Sequence, residues 1–236
     1  MSLFAIGDLH GCPDELEVLL DHLGPAGDDT LVFLGDYVDR GPGVRLLMDR
    51  LVELRSEPVG TIFLRGNHED MFLSYLDYGG RHGSAYLANG GAETLRSYGI
   101  PPDVAGRSAA AMIPPSHLQF LLDLALSFAR DRYLFVHAGI RPGTPLEEQD
   151  EEDLLWIREE FFTREHPLPY TIVYGHTPDR EARIHLPYHV GLDTGLVYGN
   201  KLSCLDCTTE RLLQVRRGGT RVVARDLVDA VRSARP

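Results

Sequence analysis

Three cysteines in 236 residues, a shortage of positive charge and the absence of any long apolar run each remove a class of function. So few thiols cannot build a disulfide-stapled scaffold. Cys204 and Cys207 form a C-x-x-C, but they fall in an expected strand, Lys201 to Cys207, where residues three apart point to opposite faces. Strand packing, not chelation or a disulfide, is the reading for that pair, and Cys12 reads as a small buried residue. Twenty-three Lys and Arg against 35 Asp and Glu give a net charge of −12, which repels duplex nucleic acid. Any bound anion must be drawn by local charge. No stretch approaches the roughly 18 apolar residues of a membrane span, and Met1-Ser2-Leu3-Phe4 opens straight into a strand without a basic signal segment. The expectation is a cytoplasmic protein with no membrane partner. With 43% hydrophobic residues, no repeat and no low-complexity linker, the chain is expected to form a single domain over residues 1–236.

The first third alternates strand and helix patterns. Leu3 to Ile6, Thr30 to Leu34 and Val59 to Leu64 read as strands. Between them, Pro13 to Leu23 aligns Leu16, Leu19, Leu20 and Leu23, and Val44 to Leu54 aligns Val44, Leu47, Leu51 and Leu54. Such alternation predicts an α/β fold with parallel strands, its chemistry gathered where strands give way to loops. From about residue 75 to 115 the pattern weakens into Gly-rich and helical pieces, expected as a cap-like insert. Ser116 is expected to cap a helix carrying Leu118, Leu121, Leu122 and Ala125. Tyr133 to Val136 is a further strand, and the acidic run Glu147 to Asp153 reads as the solvated start of a helix through Trp156. Beyond Tyr170, strands at Thr171 to Tyr174, Tyr188 to Leu192, Lys201 to Leu205, Leu212 to Val215 and Thr220 to Ala224 are separated by turns, which predicts a more antiparallel sheet.

Six glycine-flanked islands sit among these elements in one order. They are Gly7-Asp8-Leu9-His10-Gly11, Gly35-Asp36-Tyr37-Val38-Asp39-Arg40-Gly41, Gly66-Asn67-His68-Glu69, His137-Ala138-Gly139, Trp156-Ile157-Arg158 and Tyr174-Gly175-His176-Thr177-Pro178. Asp8 and His10, two residues apart at a tight turn, suit one metal ion. The two carboxylate oxygens of Asp36 suit a bridge between ions about 3.5–4 Å apart. The Asn67 carbonyl oxygen, His137 and His176 suit the second ion. Any one island alone reads more simply as structure. A fixed four-letter string such as Gly-Asn-His-Glu, however, arises by chance at roughly one position in 10⁵, and several in series point to two divalent ions, manganese first, with iron and zinc as alternatives.

This set resembles the PPP-type phosphoprotein phosphatases of the calcineurin-like metallophosphoesterase superfamily, nearest in size and layout to the bacteriophage and bacterial members, from Leu3 to about Leu205. The resemblance implies an α/β/β/α sandwich of two mixed sheets flanked by helices. It implies that Asp8, His10 and Asp36 hold one ion, and that Asp36, Asn67, His137 and His176 hold the other. It further implies His68 as general acid paired with Asp39, Arg40 and Arg158 as phosphate clamps, and direct attack by a water activated between the ions. Arg65 and Glu69 are expected to fix the loop and helix start, while His82, Tyr86 and Asn89 read as packing or surface.

The reaction class follows more sharply than the substrate. A Ser/Thr protein phosphatase of broad specificity is the first expectation, acting on a phosphoprotein. A symmetrical dinucleoside tetraphosphatase, cutting diadenosine tetraphosphate into two ADP, is the alternative. A scaffold without catalysis would have lost metal ligands, and here every such position is filled. Oligomeric state has no sequence signal.

Overall fold

Alternation along the first strand sets the layering. In β1 (Leu3–Ile6), Leu3 and Ala5 face one apolar cluster while Phe4 and Ile6 face another, as a period of two requires. A computed structural model describes residues 1–101 and 103–233, so Pro102 of the expected insert and the last three positions of the expected 1–236 domain lie outside the described residues.

The chain continues through α1 (Pro13–Leu23), β2 (Thr30–Phe33), α2 (Val44–Leu54), β3 (Gly60–Phe63) and α3 (Asn67–Tyr75). Pro13 opens α1 at the position where its missing N–H costs nothing, and left-handed Gly24 closes it, donating to the Leu20 carbonyl at 2.9 Å. Leu16, Leu19 and Leu20 of α1, and Val44, Leu47, Leu51 and Leu54 of α2, are buried. Next come α4 (Gly91–Tyr98), α5 (Gly106–Ala110), α6 (Pro115–Leu122), β4 (Ser127–Arg130), β5 (Tyr133–Val136), α7 (Glu151–Trp156) and α8 (Glu159–Phe162). The remainder holds β6 (Thr171–Tyr174), β7 (Arg183–His185), β8 (His189–Gly191), β9 (Lys201–Asp206), β10 (Arg211–Arg216), β11 (Val222–Asp226) and α9 (Leu227–Ser233).

One sheet runs β11-β10-β9-β1-β2-β3 and the other β4-β5-β6-β8-β7. Both mix parallel and antiparallel pairs. Between them lies a cluster including Ala5, Val32, Leu34, Phe135, Val173 and Val190. The outer face of the first sheet packs on α1, α2 and α3, and that of the second packs Val136 and Ile172 on Leu154 and Phe161 of α7 and α8. Two mixed sheets flanked by helices is the α/β/β/α layering that the resemblance implied. Cys204 joins the outer cluster and Cys207 the inner one, opposite faces as their spacing requires.

Three expectations change. Pro114, not Ser116, stands at the cap of α6, and that helix stops at Leu122. Ala125 leaves the helical stripe because its N–H donates to the Phe63 carbonyl (3.0 Å) and its neighbourhood bridges to Leu64, extending the edge of β3. The antiparallel strands of the second half do not make a sheet of their own. β9 pairs with β1, so β9 to β11 widen the first sheet, while β6 and β8 run parallel in the second.

Candidate active site

Five of the six islands lie on the loops that follow strands or on the helix start just beyond, so the two sheets bring their chemistry to one edge; the sixth, Trp156-Ile157-Arg158, ends α7 and leads into α8. Five side-chain-bearing residues there adopt left-handed backbone: His10 (φ 39°), Asp36 (56°), Asp39 (72°), Arg40 (68°) and His176 (64°). L-residues adopt that region at a cost, and the surrounding structure must hold them. The hold is visible around Asp36. The buried Glu69 carboxylate accepts N–H bonds from Asp36 (2.8 Å), Tyr37 (2.7 Å), Val38 (3.1 Å) and Gly66 (2.9 Å), locking the loop after β2 to the start of α3. Burial and the neighbouring Asp36 charge push the Glu69 carboxyl up to about 7, against those four donors.

Asp8, His10, Asp36, Asn67, His137 and His176 converge and are all buried. Ligand atoms of His10, Asp36 and His68 lie within 4.8 Å of one another, and so do those of Asp36, His137 and His176. Asp36 is common to both groups. Asp8 enters from the side, its carboxylate accepting the His176 N–H at 3.0 and 3.3 Å.

Does this cage suit cations? His10 Nδ1 donates to the Val38 carbonyl (2.8 Å) and His137 Nδ1 to the Leu34 carbonyl (2.8 Å), so in the neutral rings both Nε2 atoms carry a lone pair. The His137 lone pair faces acceptors, Asn67 Oδ1 at 3.0 Å and Asp36 Oδ1 at 3.3 Å. His176 Nδ1 meets the same Asn67 oxygen at 3.0 Å, and His176 Nε2 is buried without a partner. Burial holds His137 below the ordinary histidine range and His176 well below it, which keeps these imidazoles neutral. Lone pairs aimed at one another need a cation between them. The carboxylates agree: burial, then the Asp193 and Asp36 charges, push Asp8 well up, the mark of negative charge gathered in one place without a cation beside it. The set therefore fits divalent metal ions, with outer carbonyls fixing the ligand rings.

His68 and Asp39 form a buried pair, His68 Nδ1 to Asp39 Oδ2 at 2.6 Å, and the His68 ring stands edge-on to His10 at 4.7 Å. Arg40 Nη1 donates to His10 Nε2 at 2.7 Å. Arg158 lies on the opposite flank, exposed, with Nη1 3.4 Å from Thr177 Oγ1. Every residue expected at the site is thus in or beside one cluster.

Two further residues belong to it. Thr94 of α4 accepts the Asp39 N–H at 2.8 Å and donates to Asp39 Oδ1 at 2.6 Å, and the Gly90 carbonyl just before α4 accepts the Arg40 N–H at 3.2 Å. The 75–115 stretch therefore braces the Asp39-Arg40 corner. Nothing in its local sequence marks Thr94. Asp193, buried beside Asp8 and Asp36, has its carboxyl pushed up by burial although Gly195 N–H donates to it at 3.0 Å. Its signal was available, since Asp193-Thr194-Gly195 is one more acid beside a glycine at a strand end. His82, Tyr86 and Asn89 take other work: His82 meets Glu152, Tyr86 is buried against Phe72, and Asn89 donates to the Ala85 carbonyl.

Residues 1–202 match the profile of the calcineurin-like phosphoesterase family. The asymmetrical bis(5'-nucleosyl)-tetraphosphatase PrpE of Halalkalibacterium halodurans is 30% identical, over 87% of this chain and 89% of that protein. Among solved structures, a provisionally named diadenosine tetraphosphatase superposes with a TM-score of 0.67 at 23% identity, covering 95% of this chain and 92% of the other. A protein serine/threonine phosphatase of Saccharomyces cerevisiae gives 0.59 at 16% identity, with 95% and 79% covered. At those identities the two structures speak to the fold alone.

Proposed function

The chain belongs to the calcineurin-like phosphoesterase family and is a metal-dependent hydrolase of phosphoric esters or anhydrides, and from that premise we propose that its substrate is a dinucleoside polyphosphate. The observation that carries the chemistry is the pair of ligand groups meeting at Asp36. The choice of anhydride leans on the 30%-identical relative, whose name also favours an unsymmetrical cut, giving nucleoside mono- and triphosphate, over the symmetrical split into two ADP.

In this reading Asp8, His10 and Asp36 hold one divalent ion, and Asp36, Asn67, His137 and His176 the other. Oxygen and imidazole donors without sulfur suit manganese, with iron or zinc as alternatives. When bound, the ions supply an activated water and neutralise charge on the phosphoryl group. Arg40 and Arg158 flank the cluster and orient the phosphoryl oxygens, offsetting the −12 net charge locally. His68 holds a proton for the departing oxygen, and Asp39 keeps its ring aimed, a contribution worth about 10² to 10⁴ in rate. The three buried free thiols suit a reducing cytoplasm, the compartment we assign.

A second reading, Ser/Thr phosphoprotein phosphatase, draws on the His68–Asp39 pair, because an alkoxide leaving group needs a proton more than a phosphate anion does. The test compares specificity constants for phosphoserine, phosphothreonine and phosphotyrosine peptides and diadenosine tetraphosphate, with Mn²⁺ and with chelator, and identifies the nucleotide products. A thousandfold preference for a phosphopeptide, about 4 kcal/mol in the transition state, would replace the first reading with the second. Turnover by Asp36→Asn at the full rate would remove the bridging role.

A further inference from the structure

Beside the metal-ligand cluster runs a groove of about 490 Å³, lined by Pro178, Asp179 and Arg180 on one side and Tyr198, Gly199 and Asn200 on the other. Its walls are the loop that follows His176 and the loop that follows Asp193. The two loops are stapled together: Asp179 N–H donates to the Asp193 carbonyl at 3.1 Å, and Asn200 Nδ2 donates to the Arg180 (2.9 Å) and Thr194 (2.7 Å) carbonyls.

Tyr198 is built to face outward from that frame. It ends a short 3₁₀ turn, Leu196–Tyr198, set between left-handed Gly195 (φ 68°) and Gly199 (φ 89°). Leu196 is buried and anchors the turn, while the Tyr198 ring is 63% exposed. On its inner side the guanidinium of Arg40 stands 5.6 Å from the ring centroid, and Arg40 Nη1 reaches His10 at 2.7 Å. A single side chain therefore separates an exposed aromatic face from the cluster. Across the groove, the Asp179 carboxylate is engaged by Arg183 (2.9 Å) and by the Arg180 N–H (2.7 Å). The Arg180 side chain is exposed and has no ion-pair partner among the described residues. The net lining is thus a flat aromatic ring, a free cation and amide groups, in a volume that falls within the range of small-molecule sites.

We propose that this groove seats a nucleoside of the substrate, with Tyr198 stacking on the base, Arg40 passing the adjoining phosphate to the metal cluster and Arg180 meeting the phosphate charge outside it. The inference rests on the dinucleotide reading above and names the specificity determinant for it. Aromatic stacking on a base tolerates any base, so the groove selects nucleotides over bare polyphosphates more than it selects adenine.

The test uses the Mn²⁺-loaded full chain, with diadenosine tetraphosphate and inorganic tripolyphosphate as paired substrates and AMP as a competitive inhibitor of tripolyphosphate cleavage. In Tyr198→Ala, the ratio of specificity constants, dinucleotide over tripolyphosphate, should fall about 10- to 100-fold, chiefly through KM, and AMP inhibition should weaken by a similar factor. Tyr198→Phe keeps the ring and should restore both. A fall shared equally by the two substrates would mean that Tyr198 only steadies Arg40, and would overturn the proposal while leaving the hydrolase reading in place. If the wild type ignores the dinucleotide, the proposed function fails, and AMP inhibition still judges the groove: a loss in Tyr198→Ala supports it and an unchanged constant overturns it.

Discussion

Replacing Thr94 by Val removes a hydroxyl and keeps the shape, which isolates what that hydroxyl does for Asp39. Two bonds go: the one Thr94 accepts from the Asp39 N–H (2.8 Å) and the one it donates to Asp39 Oδ1 (2.6 Å). Asp39 is wholly buried, so water cannot take their place. A hydrogen bond to a charged group contributes about 1.5–3 kcal/mol and a neutral one about 1 kcal/mol, so the variant should lose about 3 kcal/mol of stability. For a chain of this size that lowers the melting temperature by roughly 6–12 °C. The catalytic consequence is separable. With its outer oxygen freed, Asp39 no longer fixes the His68 ring, and part of the proton-transfer contribution disappears. Below the melting range, turnover of an alkyl phosphate should fall about tenfold, equal to about 1.4 kcal/mol, while 4-nitrophenyl phosphate, whose leaving group needs little protonation, should change by less than about twofold. Thr94→Ser should recover both. The same loss across a series of leaving groups, or none at all, would refute a positioning role for Thr94 and weaken the assignment of His68 as proton donor.

Two other perturbations probe the frame. At Gly66 an added Cβ would land on Asp36 Oδ1 and come within 2.8 Å of Glu69 Oε2, although the backbone (φ −92°, ψ 168°) accepts alanine; Gly66→Ala should keep its circular-dichroism spectrum yet lose at least about 100-fold in Mn²⁺-dependent turnover, and near-normal turnover would contradict the tight seating of Asp36. His189 is buried among the Phe161, Tyr174 and His185 rings, and burial lowers its pKa to about 4. Because the unfolded chain takes up that proton near pH 6.5 and the folded one only near 4, stability should fall by about 3 kcal/mol as pH drops through that window and level off below it. His189→Phe should flatten this part of the melting-temperature profile, and an unchanged slope would exclude His189 as its source.

How far the sequence carried the structure depended on what kind of force fixed each part. Helices α1 and α2 were legible to the residue because each carries an unbroken apolar stripe, reinforced in α1 by a proline start and a glycine stop. The convergence of Asp8, His10, Asp36, Asn67, His137 and His176 was legible because these residues announce themselves in glycine-flanked strings whose chemistry has few other uses. Strands β4 and β7 were not, being three or four partly exposed residues at sheet edges, where neither alternation nor burial leaves a pattern. Ala125 was misplaced because a helical period continues through it while the free edge of β3 captures its N–H. Thr94 was invisible for a deeper reason: its partner is 55 residues away, and only the packing of α4 on the loop after β2 brings them together.

The ligand cluster straddles the seam between the two sheets, with Asp8, His10, Asp36 and Asn67 following β1, β2 and β3, and His137 and His176 following β5 and β6. Each layer owns only part of the cage, so the spacing between the halves is a ruler for how the layers are seated. A trimmed side chain midway along the seam, such as Val173 or Leu205, would let one layer slide by a fraction of an ångström without melting either. The spacing of the cluster would register that slippage first, while the rest of the molecule still looked intact.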